Sequence, residues 1–245
     1  MCAAHAPKSA TAQSEDRPMT GTVIVFDIDG TLMDHRAAAD AGLDSYLRLI
    51  GAEPTPSLHN TWIRAERKHF TAWREGELSF TEQRRLRMAD LLKALGKTVG
   101  GEAQLDQLFD SYLAEYERAW RAYPDAPPCL EELRDRGFKL AVLSNGDARQ
   151  QDLKLERIGV RKFFSCVLTS DSLGAAKPHR EAFDRAAEVL NAPSAELTYI
   201  GDDVEVDVLG ARAAGWQAFH LDRFDTGHFQ PCVKSLSELP ALLDR

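Results

Sequence analysis

This 245-residue chain has no CxxC pair, no His cluster beside its cysteines and no run of about 18 apolar residues. It also has no apolar stretch of the kind that opens a secretory signal. Cys2, Cys129, Cys166 and Cys232 therefore read as free thiols of a cytoplasmic protein, and no transmembrane helix is expected. A basic excess is missing too: 30 Lys and Arg face 38 Asp and Glu, a formal charge of -8. Such a balance argues against nucleic acid, whose binders display basic surface that releases counterions. Anionic small molecules stay open, because they need only one local positive site.

What is present suits a soluble globular protein: 44% hydrophobic and 28% charged residues, in one large domain or one domain with a smaller insert. Residues 1–20 are rich in Ala, Ser and Pro and read as a disordered tail, with Met19 a candidate natural start. From residue 22 the β-branched run TVIVF meets DIDGT, as a buried strand ends in a functional turn. FKLAVLS (138–144), FSCVLTS (164–170), LTYIGD (197–202) and WQAFHL (216–221) repeat the pattern. Between them lie the helix-period segments 147–159, 178–190 and 204–215, bounded by Gly, Pro or Asn. This alternation predicts an α/β fold, a Rossmann-like parallel sheet flanked by helices.

Roughly a hundred residues separate the first two strands, far more than one crossover helix needs. Residues 34–122 read as four amphipathic helices, near 35–50, 57–75, 79–95 and 102–121, with a capping-box pattern at Ser79 and Glu82. The expected organisation is a core of 21–33 and 123–245 with a helical cap, 34–122, spliced in after strand 1. The 34–122 stretch carries 13 basic and 14 acidic side chains, so the excess acidity belongs to the core.

In open α/β sheets the ligand site lies at the carboxyl ends of the strands. Those ends carry Asp27, Asp29, Gly30 and Thr31, then Ser144, Asn145 and Gly146, then Lys177 before Pro178, then Asp202 and Asp203 with Asp207 beyond. Crowded carboxylates repel one another unless a cation neutralises them. Oxygen ligands of this kind suit Mg²⁺ shared with a substrate phosphate, and the fitting chemistry is phosphoryl transfer. Ser144, Lys177 and the N–H groups around Asn145 and Gly146 would offset phosphoryl charge. Pro178 is placed in the first turn of the next helix.

FDIDGT, LSNG, Lys177-Pro178 and GDDVEVD, in this order, resemble the haloacid dehalogenase superfamily of hydrolases, from residue 22 to about 225. The inserted helices resemble that family's helical cap of the first type. The resemblance implies Asp27 as nucleophile forming an aspartyl-phosphate, and Asp29 as the acid that protonates the leaving alcohol and then activates water. It also implies that Ser144 and Lys177 hold the phosphoryl group. Mg²⁺ would lie between Asp27, the backbone carbonyl of Asp29 and Asp202, with Asp203 or Asp207 supporting the metal waters or Lys177. The family's dehalogenases lack the second aspartate of the pair, so Asp29 favours a phosphatase. Thr31 favours hydrolysis over a mutase, whose members commonly read DGV. After Leu32 this chain has Met33-Asp34-His35-Arg36 where many members continue Asp-Ser. It looks closer to members acting on nucleoside monophosphates or sugar phosphates than to phosphoglycolate phosphatases.

Blander roles stand beside these. Asp203 fits a helix cap as well as metal support, and Asp207 a dipole-complementing carboxylate. In the cap, Trp62, His69, Phe70 and Trp73 fit the frame of a substrate pocket, but helical spacing favours core packing for the aromatics and an exposed or packing role for His69. Arg64, Arg67, Lys68, Arg74, Arg84, Arg85 and Arg87 read mostly as a solvated face, with room for one or two to reach the active-site mouth. The expected activity is Mg²⁺-dependent hydrolysis of a small-molecule phosphate monoester. The alternatives are a phosphomutase of the same family and a non-catalytic module binding a phosphorylated ligand.

Overall fold

A computed structural model describes residues 23–227, 229 and 232–243. The predicted tail of 1–20, with Met19 and Cys2, lies outside the described residues. The chain runs β1 (Val23–Phe26), α1 (His35–Leu49), α2 (Pro56–Arg74), α3 (Phe80–Ala94), α4 (Glu102–Arg118), α5 (Ala126–Asp135) and β2 (Lys139–Ser144). It continues through α6 (Ala148–Arg157), β3 (Cys166–Thr169), α7 (Ser170–Leu173), α8 (Arg180–Leu190) and β4 (Leu197–Gly201). A π-helical turn (Val204–Leu209), α9 (Gly210–Ala213), β5 (Gln217–Leu221), β6 (Cys232–Val233) and α10 (Leu239–Leu242) complete it.

Among the described residues six strands pair in parallel, in the order β3-β2-β1-β4-β5-β6. Successive strand residues face opposite sides of a sheet, so both faces must be apolar when helices cover both. Ile24, Phe26, Leu140 and Val142 join one buried cluster, which continues into the insert through Tyr46, Trp62 and Met88. Their neighbours Val23, Val25, Ala141 and Leu143 join the other, with Phe183, Tyr199 and Trp216. The chain winds outward from β1 through β2 to β3, then returns to β4 on β1's other side. That reversal opens a crevice at the carboxyl end of β1.

The insert is two helix pairs, α1 with α4 and α2 with α3. Gly42 lets α1 approach α4 closely, since a Cβ there would lie 2.6 Å from the Tyr116 Cα. The capping box at Ser79 and Glu82 forms as expected. The two connections to the core run side by side: Asp34 N–H donates to the Arg121 carbonyl and Tyr123 N–H to that of Leu32. Arg223 bonds both Asp125 carboxylate oxygens and the Thr31 carbonyl beside them.

Four details differ from expectation. α5 forms over a stretch to which the sequence reading assigns no element, Pro127 and Pro128 being tolerated because the first turn of a helix has no use for its N–H groups. The short β6 adds a sixth strand. α8 begins at Arg180, so Lys177 and Pro178, joined by a cis peptide, precede the helix rather than open it. The helix expected over 204–215 starts as a π-helical turn. Among the described residues no helix is long and apolar enough to cross a membrane.

Candidate active site

β1 delivers Asp27 into the crevice because its backbone stays on the sheet for one more residue, Asp27 N–H donating to the Ile200 carbonyl. The chain then turns sharply. The Ile28 carbonyl accepts from Thr31, Leu32 and Met33, and Gly30 adopts a φ of 88°. A Cβ on Gly30 would lie 2.2 Å from the Asp202 Oδ2, so glycine is needed both for the turn and for the close approach of that carboxylate.

Lys177 stands at the centre. Its buried Nζ donates to Asp27 Oδ1 at 2.7 Å, to Asp207 Oδ1 at 2.7 Å and to the Tyr199 hydroxyl at 2.5 Å, matching three donors to three acceptors. Tyr199 donates its own O–H to the Leu143 carbonyl. The Asn145 amide grips the Lys177 backbone at both ends, accepting from its N–H and donating to its carbonyl, each at 2.8 Å. Asn145 thus acts here through Lys177. Ser144 Oγ accepts from Gln151 Nε2 at 3.0 Å, and its own O–H has no acceptor among the described residues. The Gly146 N–H, expected to face an anion, donates to Ser170 Oγ instead.

The widened π-helical turn carries Asp207 back under β4, where it is buried against Lys177. Gly201 makes room, since a Cβ there would lie 2.3 Å from Asp207 Oδ2. Asp203 remains exposed and caps the turn, its Oδ1 accepting from the N–H groups of Glu205 and Val206. Of the two roles open to each residue, Asp203 fills the cap and Asp207 the support of Lys177.

Carboxylate oxygens of Asp27, Asp202 and Asp207 lie within 4.8 Å of one another. Burial, together with Asp207 and Asp29, pushes Asp27 up to about 7 although Lys177 pulls the other way. Burial and the charges of Asp207, Asp27 and Asp203 raise Asp202 well above the usual carboxylate range. An all-oxygen, charge-strained set of this kind fits a hard divalent cation such as Mg²⁺.

Asp29 leaves that cluster and faces the insert. Lys154 Nζ, buried on α6, reaches both its oxygens at 2.8 and 2.7 Å. The chain of charges continues through His35, 3.7 Å from Asp29 and 3.6 Å from Glu66, to Arg87, 2.8 Å from Glu66. Burial alone would raise Asp29, but Lys154 and then His35 outweigh it and hold the carboxyl below its ordinary range. Glu66 is held near 2 against its burial by Arg87 and His35. His35 itself is raised against its burial by Glu66 and Asp29.

Lys154, Gln151, His35 and Glu66 are absent from the residues predicted from the sequence. Gln151 and Lys154 share one stripe of α6 with the buried Leu155, and this phase was the available signal. A lysine in an otherwise polar helix reads as solvent-facing. In the insert, Arg67, Arg74, Arg84 and Arg87 line a cavity of about 470 Å³ that also contains Asp27, Ser144 and Asp202. Of the seven basic residues expected mostly on a solvated face, Arg74, Arg84 and Arg87 are thus at least partly withdrawn from solvent, while Arg67 borders the cavity and stays exposed. Trp62 is buried against Tyr112, as packing predicts, and buried His69 binds Asp90. Phe70 joins the cavity wall.

Comparison with known proteins agrees with this geometry. The profile of the haloacid dehalogenase-like hydrolases matches residues 22–215. A phosphatase of Mycobacterium tuberculosis is 30% identical over 236 residues, covering 92% of this chain and 98% of its own. The ribulose-1,5-bisphosphate 5-phosphatase of Halopiger xanaduensis is 29% identical, covering 82% and 84%. The glyceraldehyde 3-phosphate phosphatase of Methanopyrus kandleri is 38% identical over 103 residues, so this chain spans only 44% of that relative. Among solved structures, the magnesium-bound HAD-hydrolase YfnB of Bacillus subtilis superposes with a TM-score of 0.81 at 23% identity, covering 91% and 99%, a likeness of fold. With Asp27, Lys177 and the acidic cluster gathered at one sheet edge inside the matched span, the chain belongs to the haloacid dehalogenase-like hydrolase family.

Proposed function

We propose that the protein is a Mg²⁺-dependent phosphatase, cleaving a small-molecule phosphate monoester of the sugar phosphate or nucleoside monophosphate class. The observation that carries this reading is the pair Asp27 and Asp29, two residues apart yet held by different lysines, Lys177 and Lys154. One carboxylate is thereby fixed among the metal-binding oxygens and the other beside the space for a leaving group. The relatives named as phosphatases of glyceraldehyde 3-phosphate and ribulose-1,5-bisphosphate support the sugar phosphate class.

Asp27 would attack phosphorus, forming an aspartyl-phosphate as the ester P–O bond breaks. Asp29 would give a proton to the departing oxygen, then take one from the water that displaces Asp27 from phosphorus. Lys154 and His35 hold Asp29 as an anion before substrate arrives, which suits the second step. A phosphoryl dianion beside it opposes that depression and favours the protonated form needed in the first. Lys177 and the Ser144 O–H would hold phosphoryl oxygens, with Asn145 fixing Lys177 and Asp207 neutralising it. Asp27, Asp202 and the Asp29 carbonyl would hold Mg²⁺, whose charge offsets that of the nucleophile and the phosphoryl oxygens. The helices of 34–122 act as the cap, closing over the substrate and excluding bulk water. Cytoplasmic residence accords with Cys129, Cys166 and Cys232 being free thiols.

Phosphate release across a panel of sugar phosphates and nucleoside monophosphates, with Mg²⁺ or with EDTA, tests the reading. Release dependent on Mg²⁺ is expected, and turnover unaffected by EDTA would count against it. Stability gives a second readout. Because the metal-free fold holds Asp27 above its ordinary 3.8, it binds more protons than the unfolded chain up to about pH 7. Its stability should therefore fall as pH rises from about 4 to 7, and Mg²⁺ should reduce that slope in thermal melts.

Lys154→Met should lower kcat by about 10²-fold, the scale of acid–base assistance, with little change in KM. Without Lys154 the Asp29 pKa rises, so the acid limb of the rate profile moves to higher pH. A variant that loses only melting temperature and keeps that limb would reduce Lys154 to a structural residue.

A further inference from the structure

The cavity wall opposite Asp27 carries charge that phosphoryl transfer does not use. Arg84, on α3, is half-buried with its guanidinium 4.5 Å from the Phe80 ring centre and 5.2 Å from that of Phe109. Its hydrogen-bond partner is the neutral Gln150 Oε1 at 3.1 Å, and among the described residues no carboxylate lies within salt-bridge distance. The next residue in the chain shows the contrast. Arg85 bonds both oxygens of Asp106 at 2.7 Å and Glu102 at 2.5 Å. A guanidinium partly withdrawn from water with no directly bonded anion costs free energy, and its planar fork matches a carboxylate or phosphate. Burial, and then the like charge of Arg87, pull the Arg84 pKa below its ordinary value, although the more distant Asp147, Asp110 and Glu117 oppose them.

Arg74, on α2 in the same wall, repeats the pattern. Its Nη2 donates to the neutral Thr71 hydroxyl at 3.3 Å and its buried Nε has no partner. In the same cavity lining Gln83 is 1% exposed, and its Oε1 lacks a donor. Water would satisfy Gln83 but would give neither guanidinium a directly bonded anion, since Asp147, Asp110 and Glu117 act on Arg84 only from beyond salt-bridge distance. A ligand with an oxyanion for the arginines and a hydroxyl for Gln83 answers all three, and a cavity of about 470 Å³ has the size of a small-metabolite site.

We propose that Arg84 and Arg74 form a second oxyanion subsite, so that the substrate is a small hydroxylated phosphate ester bearing a further carboxylate or phosphate remote from the cleaved group. This deepens and rests on the phosphatase reading. The shared chemistry is an oxyanion, and paired substrates separate its two sources. 3-Phosphoglycerate against glycerol 3-phosphate reads the carboxylate. Fructose 1,6-bisphosphate against fructose 6-phosphate reads the phosphate.

With Mg²⁺ present, kcat/KM for the doubly anionic member of one pair should exceed that of its partner by about tenfold or more. Arg84→Gln and Arg74→Gln should each collapse that ratio, chiefly through KM, and Arg84→Lys should keep part of it. Release from p-nitrophenyl phosphate without preference in either pair would overturn the subsite. An equal loss on both members in Arg84→Gln would do the same, since a structural defect does not discriminate. If no ester released phosphate, the phosphatase reading would fail instead. The subsite would then be judged by thermal melts with 3-phosphoglycerate or fructose 1,6-bisphosphate. A stabilisation present in the wild type and absent in Arg84→Gln sustains it, and none in the wild type sinks it.

Discussion

Asp27→Asn should abolish phosphate release, with kcat falling by about 10⁴-fold or more, a loss of about 5.5 kcal/mol of transition-state stabilisation. An amide is neutral and a poor nucleophile, and among the described residues no other carboxylate is placed to replace Asp27. Asp202 and Asp207 share its cluster, but Asp207 is committed to Lys177 and Asp202 is wedged against Gly30. Asp29, two residues on, is turned toward Lys154. The fold should survive, because Lys177 keeps Asp207 and Tyr199 as acceptors and one of three mutually repelling carboxylates is removed. Steady-state phosphate release with Mg²⁺, beside a thermal melt, reads both quantities. Full activity in Asp27→Asn would place the nucleophile elsewhere, and a collapsed melt would show that the charge is structural.

Lys177→Met should do what Asp27→Asn does not: remove both activity and stability. The ammonium donates to two buried carboxylates, and deleting one partner of a buried pair costs about 3–5 kcal/mol because the other charge remains. Methionine fills similar volume, so the loss reports charge rather than a cavity. Burial tends to lower a lysine pKa, yet Asp207 and Asp27 outweigh it here and keep Lys177 charged throughout the working range. The double variant Lys177→Met with Asp207→Asn should recover part of the stability, since the orphaned carboxylate is gone, while remaining inactive. Denaturant midpoints of the wild type, the two singles and the double form the cycle that measures this coupling. Additive losses would mean that Asp207 and Lys177 do not act as a unit. A rescue of turnover in the double would mean that Lys177 serves only to neutralise Asp207.

These expectations depend on contacts between residues 150 and 30 positions apart, Asp27 with Lys177 and Lys177 with Asp207. Their gathering was legible in the sequence because parallel strands deliver their carboxyl ends to one edge. β1, β2, β3, β4 and β5 could be read from short apolar runs, since a strand buried on both faces is apolar at every position. β6, with two residues, is too short to carry such a pattern, and α5 was hidden by prolines tolerated only in a first turn. Gly30 and Gly201 were visible as letters, but their close approach to Asp202 and Asp207 was not.

By itself, the sequence determined the layer architecture, the place of the insert and the set of strand-end residues, because burial periodicity and strand direction are local properties. Partnership was left to the tertiary structure. It divided Asp203 from Asp207 by giving one to backbone N–H groups and the other to Lys177. It turned Lys154 inward to Asp29, and it faced Arg74 and Arg84 toward the strand ends instead of solvent. Charge on a helix can be read from a chain, but which charges lose their water depends on what packs over them, and that is fixed only when α2 and α3 settle above the sheet edge.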